Sequence, residues 1–265
     1  MKHKKLKNLI VTLVLIFLYL PIIILVVYSF NTSKMNVIFE GFTLDWYKNL
    51  FTNRSLIEAF SNTLIIAVIS TIISTVIGTI GAIGLYKYNF KVKSFINLLL
   101  YIPIVIPEIV LGISLLSVYT LTKMELGMFT LILSHITFSI PFVIVSVRST
   151  FSKSLDTYIE AAKDLGASDI HTFFQITLPQ IMPGVISGAT LAFTLSLDDV
   201  VISYFTAGPG SNTLPLQIYS MIKTGISPDV NALTTLMLFV TMTILFSLTF
   251  IQGRKIAGDN KWKKI

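Results

Sequence analysis

The chain has 265 residues, of which 54% are hydrophobic and 12% charged, with a mean hydropathy of +0.80. A water-soluble domain carries about a quarter charged residues, so a soluble core is excluded and a multi-span membrane protein is expected. The absence of cysteine excludes a disulfide framework, a thiol nucleophile and a thiolate metal site. The net charge of +7 sits mostly on segments flanking apolar runs rather than on a nucleic-acid-binding surface.

Residues 1–8 form a tail bearing Lys2, Lys4, Lys5 and Lys7. The apolar run Leu9–Phe30 follows. It begins like a signal peptide, but it is too long, and no small-residue cleavage pattern follows Phe30, so a retained anchor is expected. Residues 31–61 form a mixed outer segment, and 62–252 contain five further runs: Asn62–Tyr86, Phe95–Leu121, Leu126–Val147, Ile181–Phe205 and Val230–Ile251. Each run is long enough for the roughly 20 helical residues that cross a bilayer core. Backbone groups in lipid must be satisfied within their own segment, which predicts an all-α polytopic protein with six transmembrane helices. The alternation of a membrane β-barrel is absent.

Fifteen of the 20 Lys and Arg residues fall in the N-tail, in 87–94, in 148–180 and in the C-tail 253–265. This bias places those segments, and both termini, in the cytoplasm. Gly78 with Ala82, and Gly184 with Gly188, are small-residue pairs spaced for close helix packing.

Three carboxylates interrupt the apolar spans: Glu108, Asp198 and Asp199. A charge at mid-membrane costs about 2.5–3.5 kcal/mol on insertion scales, so such residues are read as functional. Glu108 directly follows Pro107 and lies five residues after Pro103, which predicts a bent or broken helix with a carboxylate at mid-depth. Asp198 and Asp199 point about 100° apart on a helix. Ala192, Ser196, Asp199 and Ser203 form a small polar stripe suited to a pore lining, and Asp198 lies beside it. Which aspartate faces the lumen is left open. Carboxylates in a low-dielectric cavity favour a cation over phosphate, sulfate or molybdate. His135 in the fourth span is read as a packing residue, and Trp46, from its aromatic ring alone, as an interfacial anchor.

The segment 148–180 is the longest inner loop. Asp156 is the expected N-cap of a helix carrying Tyr158, Ala161, Ala162 and Leu165 on one face. Gly166 is placed as the left-handed residue after that helix, and Ser168 as the cap of a second one bearing Ile170, Phe173, Phe174 and Leu178. Pro179 then ends the second helix or begins the next span. Two short helices with exposed apolar faces require a partner. After Leu214, a mixed stretch to Thr224 reads as a short surface helix.

Glu160-Ala161-Ala162, then Gly166 after three residues, then Ile176-Thr177-Leu178-Pro179 after nine more, resembles the EAA loop of binding-protein-dependent ABC importer permeases. This resemblance implies the type I importer permease fold, with the loop forming coupling helices seated in a cleft of an ATPase. Glu160, Ala161, Ala162, Gly166, Ile176, Leu178 and Pro179 would be the coupling residues. No G-x-x-x-x-G-K-[ST] phosphate loop is present, so ATP and Mg would be bound by a separate partner, and the chain itself would be no enzyme and carry no cofactor or metal. Three further stretches, Gly41–Tyr47, Ser196–Val201 and Leu214–Met221, resemble permeases of spermidine/putrescine importers. By that resemblance Trp46 lies on the outer side, near where a binding protein delivers substrate, and it joins the membrane carboxylates Glu108, Asp198 and Asp199 and the stripe residue Ser196 in the expected substrate path. The implied partners are a second permease subunit in a heterodimer, two copies of a cytoplasmic ATPase, an extracytoplasmic polyamine-binding protein and membrane lipid, with no nucleic acid. The competing readings are the same machine for another cation or small organic substrate, and a proton-driven secondary transporter, in which the EAA pattern would have no role.

Overall fold

Apolar runs that must satisfy their own backbone become helices, and the computed structural model, which describes residues 2–33, 38–224 and 228–262, is almost entirely helical. Lys34 of the outer segment and Lys263 and Lys264 of the C-tail lie outside the described residues. In chain order the helices are α1 (Lys2–Tyr28), α2 (Asp45–Thr52), α3 (Arg54–Lys87), α4 (Lys93–Val105), α5 (Glu108–Leu121), α6 (Met128–Arg148) and α7 (Lys153–Asp164). Then come α8 (Asp169–Thr172), a π-helical turn at Phe173–Thr177, α9 (Leu178–Asp198), α10 (Val201–Thr206), α11 (Leu214–Thr224) and α12 (Pro228–Trp262). Among the described residues the one β-contact is an isolated antiparallel bridge between Asn31 and Phe42.

Among the described residues, four helical stretches are long and apolar enough to cross a membrane: Lys5–Tyr28, Arg54–Lys87, Met128–Arg148 and Asp169–Asp198. The third expected span is not one helix. It is the pair α4 and α5, bent by 111°. Their 13 and 14 residues reach only about 20 Å each at a rise of 1.5 Å per residue, less than a bilayer core of about 30 Å. Pro107 causes the bend: it lacks a donor and disfavours helical geometry at Ile106, which is extended (φ −69°, ψ 138°). Pro103 stays inside α4. The fifth expected span, Ile181–Phe205, is also interrupted, between Asp198 and Val201. In α12, Pro228–Ile244 is a shorter apolar stretch.

The chain divides into two compact units, Met1–Glu58 with Gln217–Phe246, and Ala59–Leu216 with Ser247–Ile265. In the first unit, α1 exposes apolar side chains all round, as a lipid-facing helix does. Beyond it, the buried Asn31 side chain donates to the Ile38 carbonyl (2.7 Å) and accepts from the Glu40 amide (2.9 Å), closing a loop against α2.

The second unit is built on α6. Its core joins Ala82 and Leu85 of α3 with Val143, Ile144 and Val147 of α6, Leu155 of α7, and Ile181 and Ala192 of α9. The two glycine pairs both meet α6. A Cβ at Gly184 would lie 2.7 Å from Thr150 Cγ2 and 2.8 Å from the Ser146 carbonyl, and one at Gly188 3.0 Å from Val143 Cα. On the other side a Cβ at Gly78 would lie 2.7 Å from Val143 Cβ. Small residues here let three backbones approach.

Candidate functional site

The two helix interruptions converge. Glu108 opens α5 directly after Pro107 and is exposed. One turn later, Gly112 packs so closely on Phe205 of α10 that a Cβ would come within 2.7 Å of its ring. Glu108 thereby lies within Coulombic reach of both Asp198 and Asp199.

The adjacent aspartates face different surroundings. Asp198, the last residue of α9, is exposed. Asp199 is buried and extended (φ −64°, ψ 126°); it is the C-cap residue of α9 and directly precedes Val200, the N-cap residue of α10, and its side chain covers the start of α10. Its carboxylate accepts the backbone N–H of Ile202 (3.1 Å) and of Ser203 (2.8 Å), and the Ser203 hydroxyl (2.7 Å). These contacts satisfy donors that the start of a helix leaves unpaired. His135 of α6, 1% exposed, sits beside this cap. Its Nδ1 lies 2.7 Å from Ser196 Oγ, and its Nε2 lies 3.2 Å from Ser203 Oγ and 3.5 Å from Asp199 Oδ2. Ser196 Oγ also lies 3.3 Å from Ser70 Oγ of α3.

The stripe Ala192, Ser196, Asp199 and Ser203, expected to line a pore, is instead buried inside this chain. The expectation assumed one continuous helix; the break after Asp198 turns Asp199 and Ser203 towards α6. Ser196 is part of this interior network, and of the paired aspartates Asp198 is the exposed one. His135, read from sequence as packing, is the hub of the network. Its only sequence signal was a polar side chain within an apolar span.

Trp46, in the first unit, is half-buried, and its Nε1 donates to the Asn31 carbonyl at 2.7 Å. Next to it the Lys48 ammonium, 3.0 Å from Asp45, holds that carboxyl below the ordinary carboxylate range.

The loop between α6 and α9 forms the helix–glycine–helix expected, with one shift. α7 begins at Lys153, after extended Ser152, so Asp156 lies in the first turn instead of capping it. Asp156 accepts a 2.6 Å hydrogen bond from the Tyr86 hydroxyl. Gly166 has φ +83°. The Gly166 amide donates to the Lys163 carbonyl (2.8 Å) and the Ala167 amide to the Ala162 carbonyl (3.0 Å), the paired bonds of a Schellman turn. Ser168 Oγ accepts from the His171 amide (3.3 Å), capping α8. Lys163 reaches across the turn to Asp169 at 2.9 Å. The second helix does not stop at Pro179: the π-helical turn carries it into α9, and the proline occupies the first turn of α9. Glu160, Ala161, Gly166 and Pro179 are exposed, and Ala162, Ile176 and Leu178 are partly buried. Leu165 is 89% and Ile170 73% exposed, with Tyr158 and Phe174 also open, so the loop presents apolar side chains around the glycine turn.

A family model described as binding-protein-dependent transport system inner membrane component matches residues 74–256. The chain belongs to this family. The match contains Glu108, both aspartates and the whole helix–glycine–helix of this binding-protein-dependent permease; Trp46 precedes it. The spermidine/putrescine transport system permease protein PotC of Escherichia coli (strain K12) is 43% identical over 248 residues, 94% of each chain. The putrescine transport system permease protein PotI of the same organism is 38% identical over 246 residues, 90% of this chain and 87% of its own. Among solved structures, a bacterial ABC transporter involved in the import of the acidic polysaccharide alginate is 13% identical with a TM-score of 0.70, covering 93% of this chain and 95% of the other. The MetNI methionine ABC transporter is 19% identical with a TM-score of 0.64, covering 75% and 95%. The permease thus shares its fold with importer subunits in the two solved structures, despite low identity.

Proposed function

We propose that this permease is one transmembrane subunit of an ATP-driven importer that carries polyamines, spermidine or putrescine, across the cytoplasmic membrane. The observation that carries the reading is the 43% identity, over 94% of both chains, to a spermidine/putrescine permease. The chemistry agrees with it. Glu108 and Asp198 are exposed carboxylates in electrostatic reach of one another at paired helix breaks, an arrangement that attracts a multivalent organic cation.

The loop Glu160–Pro179 seats in a separate ATPase, which binds ATP and Mg. Closure of an ATPase dimer displaces α7 and α8, and the spans alternate between outward and inward openings. Burying Leu165, Ile170 or Phe174 in such a partner stabilises the contact by about 1.5–3 kcal/mol per side chain. The assembly contains a second permease, two ATPase copies and an extracytoplasmic binding protein that delivers the cation on the side of Trp46. The Lys and Arg distribution orients both termini to the cytoplasm. Uptake of radiolabelled spermidine and putrescine by cells with and without this chain, in the presence of competing amines, tests the reading. Chain-dependent uptake blocked by polyamines supports it; uptake independent of the chain rejects it.

A further inference from the structure

We propose that His135 is a positioning residue of the transport path: it holds both sides of the α9–α10 break and so fixes the direction in which Asp198 is presented. This rests on the reading of Asp198 as a carboxylate that meets the cation.

The geometry leaves the ring little freedom. Nδ1 is engaged by Ser196, in the last turn of α9, and Nε2 by Ser203 of α10 and by Asp199 between them. The ring edge packs on Phe138 at 5.4 Å between centroids. An imidazole has two ring nitrogens at a fixed separation, and here both are used. Ser196 is tied in turn to Ser70, so the clamp joins α3, α6, α9 and α10. A second α6–α10 link, from Thr130 Oγ1 to the Thr206 carbonyl (3.0 Å), lies at the far end of α10 and does not touch the break. His135 therefore spans the break itself. Asp199 is anchored inward by its contacts with His135, Ile202 and Ser203, and Asp198, its chain neighbour, is set on the opposite, open side. Without the imidazole, Ser196 and Asp199 lose a buried partner. The break is then no longer held from α6, and the presentation of Asp198 becomes variable.

The chain lacks cysteine, so Asp198→Cys places a single thiol at the presented position. In the assembled importer, with the cysteine-free chain as the blank, a cationic, membrane-impermeant methanethiosulfonate reagent should label Asp198→Cys at a rate that His135→Ala changes about fivefold, the scale of one buried hydrogen bond. In the chain that retains Asp198, His135→Ala should raise KM for spermidine uptake more than it lowers the maximal rate, at unchanged membrane abundance, and His135→Gln should recover part of the loss. If His135→Ala does not reach the membrane, Ser203→Ala removes one arm of the clamp without opening a large cavity, and the same shifts in labelling and KM are expected. Unchanged labelling and KM in whichever of the two variants assembles would overturn the proposal. Normal spermidine uptake by Asp198→Asn would instead remove the underlying reading of Asp198, while the labelling rates still report whether His135 orients that position.

Discussion

The Tyr86 hydroxyl donates a 2.6 Å hydrogen bond to Asp156, joining the last turn of α3 to the first turn of α7. The Tyr86 ring also stacks on Phe151, with centroids 4.1 Å apart and planes 10° from parallel. A displacement of the loop therefore has a direct mechanical path into a membrane helix. Tyr86→Phe keeps the stack and removes the bond, worth about 0.5–1.5 kcal/mol. The expected result is a two- to tenfold lower ratio of amine transported to ATP hydrolysed in reconstituted vesicles, a range set by that bond energy. An unchanged ratio would contradict this path.

Gly166 adopts φ +83°, with nothing within 4 Å of the position a Cβ would take. The demand there is conformational, not spatial. A left-handed backbone costs a residue with a Cβ about 1–2 kcal/mol, and Asn tolerates it better than most. Coupling should fall in the order Gly, Asn, Ala, Val when transport and ATP hydrolysis are measured together. Equal coupling for Gly166→Val would show that the turn geometry is not used.

Asp198 and Asp199 should separate by phenotype. Asp199→Asn replaces an acceptor of two amides and a hydroxyl in a buried site, at a cost of about 1–3 kcal/mol. It should lower the abundance and Tm of the purified complex. Asp198→Asn, on an exposed side chain, should leave both unchanged and raise KM for spermidine. The opposite assignment of the two defects would contradict the geometry.

Two glycines give a contrast in packing. Gly184→Leu should prevent assembly, because its Cβ alone would press on Thr150 and on the Ser146 carbonyl. Gly84→Ala should be tolerated, since nothing lies within 4 Å of its Cβ position. Quantifying both variants in membranes by immunoblot checks the pair, and equal abundance would contradict it.

The features legible in sequence are those decided within a few residues. The Gly166 turn, the Ser168 cap and the break at Pro107 each depend on local backbone chemistry, and the glycine pairs announced close packing without naming the partner, which is α6 for both. Features decided by distant chain segments were not legible. Ser152 and Asp156 are both able to start a helix; tertiary structure gives Asp156 to Tyr86, 70 residues away. Similarly, nothing local to Asp199 announces that His135, 64 residues earlier, turns it inward. That contact hides the polar stripe that a continuous helix would have displayed.

Accumulation of radiolabelled spermidine in vesicles holding this chain, its partner permease, the ATPase and the binding protein tests the central claim most directly. The account predicts uptake that requires ATP on the loop side and persists when a protonophore collapses the proton gradient. Uptake that proceeds without ATP and stops with the gradient would contradict it.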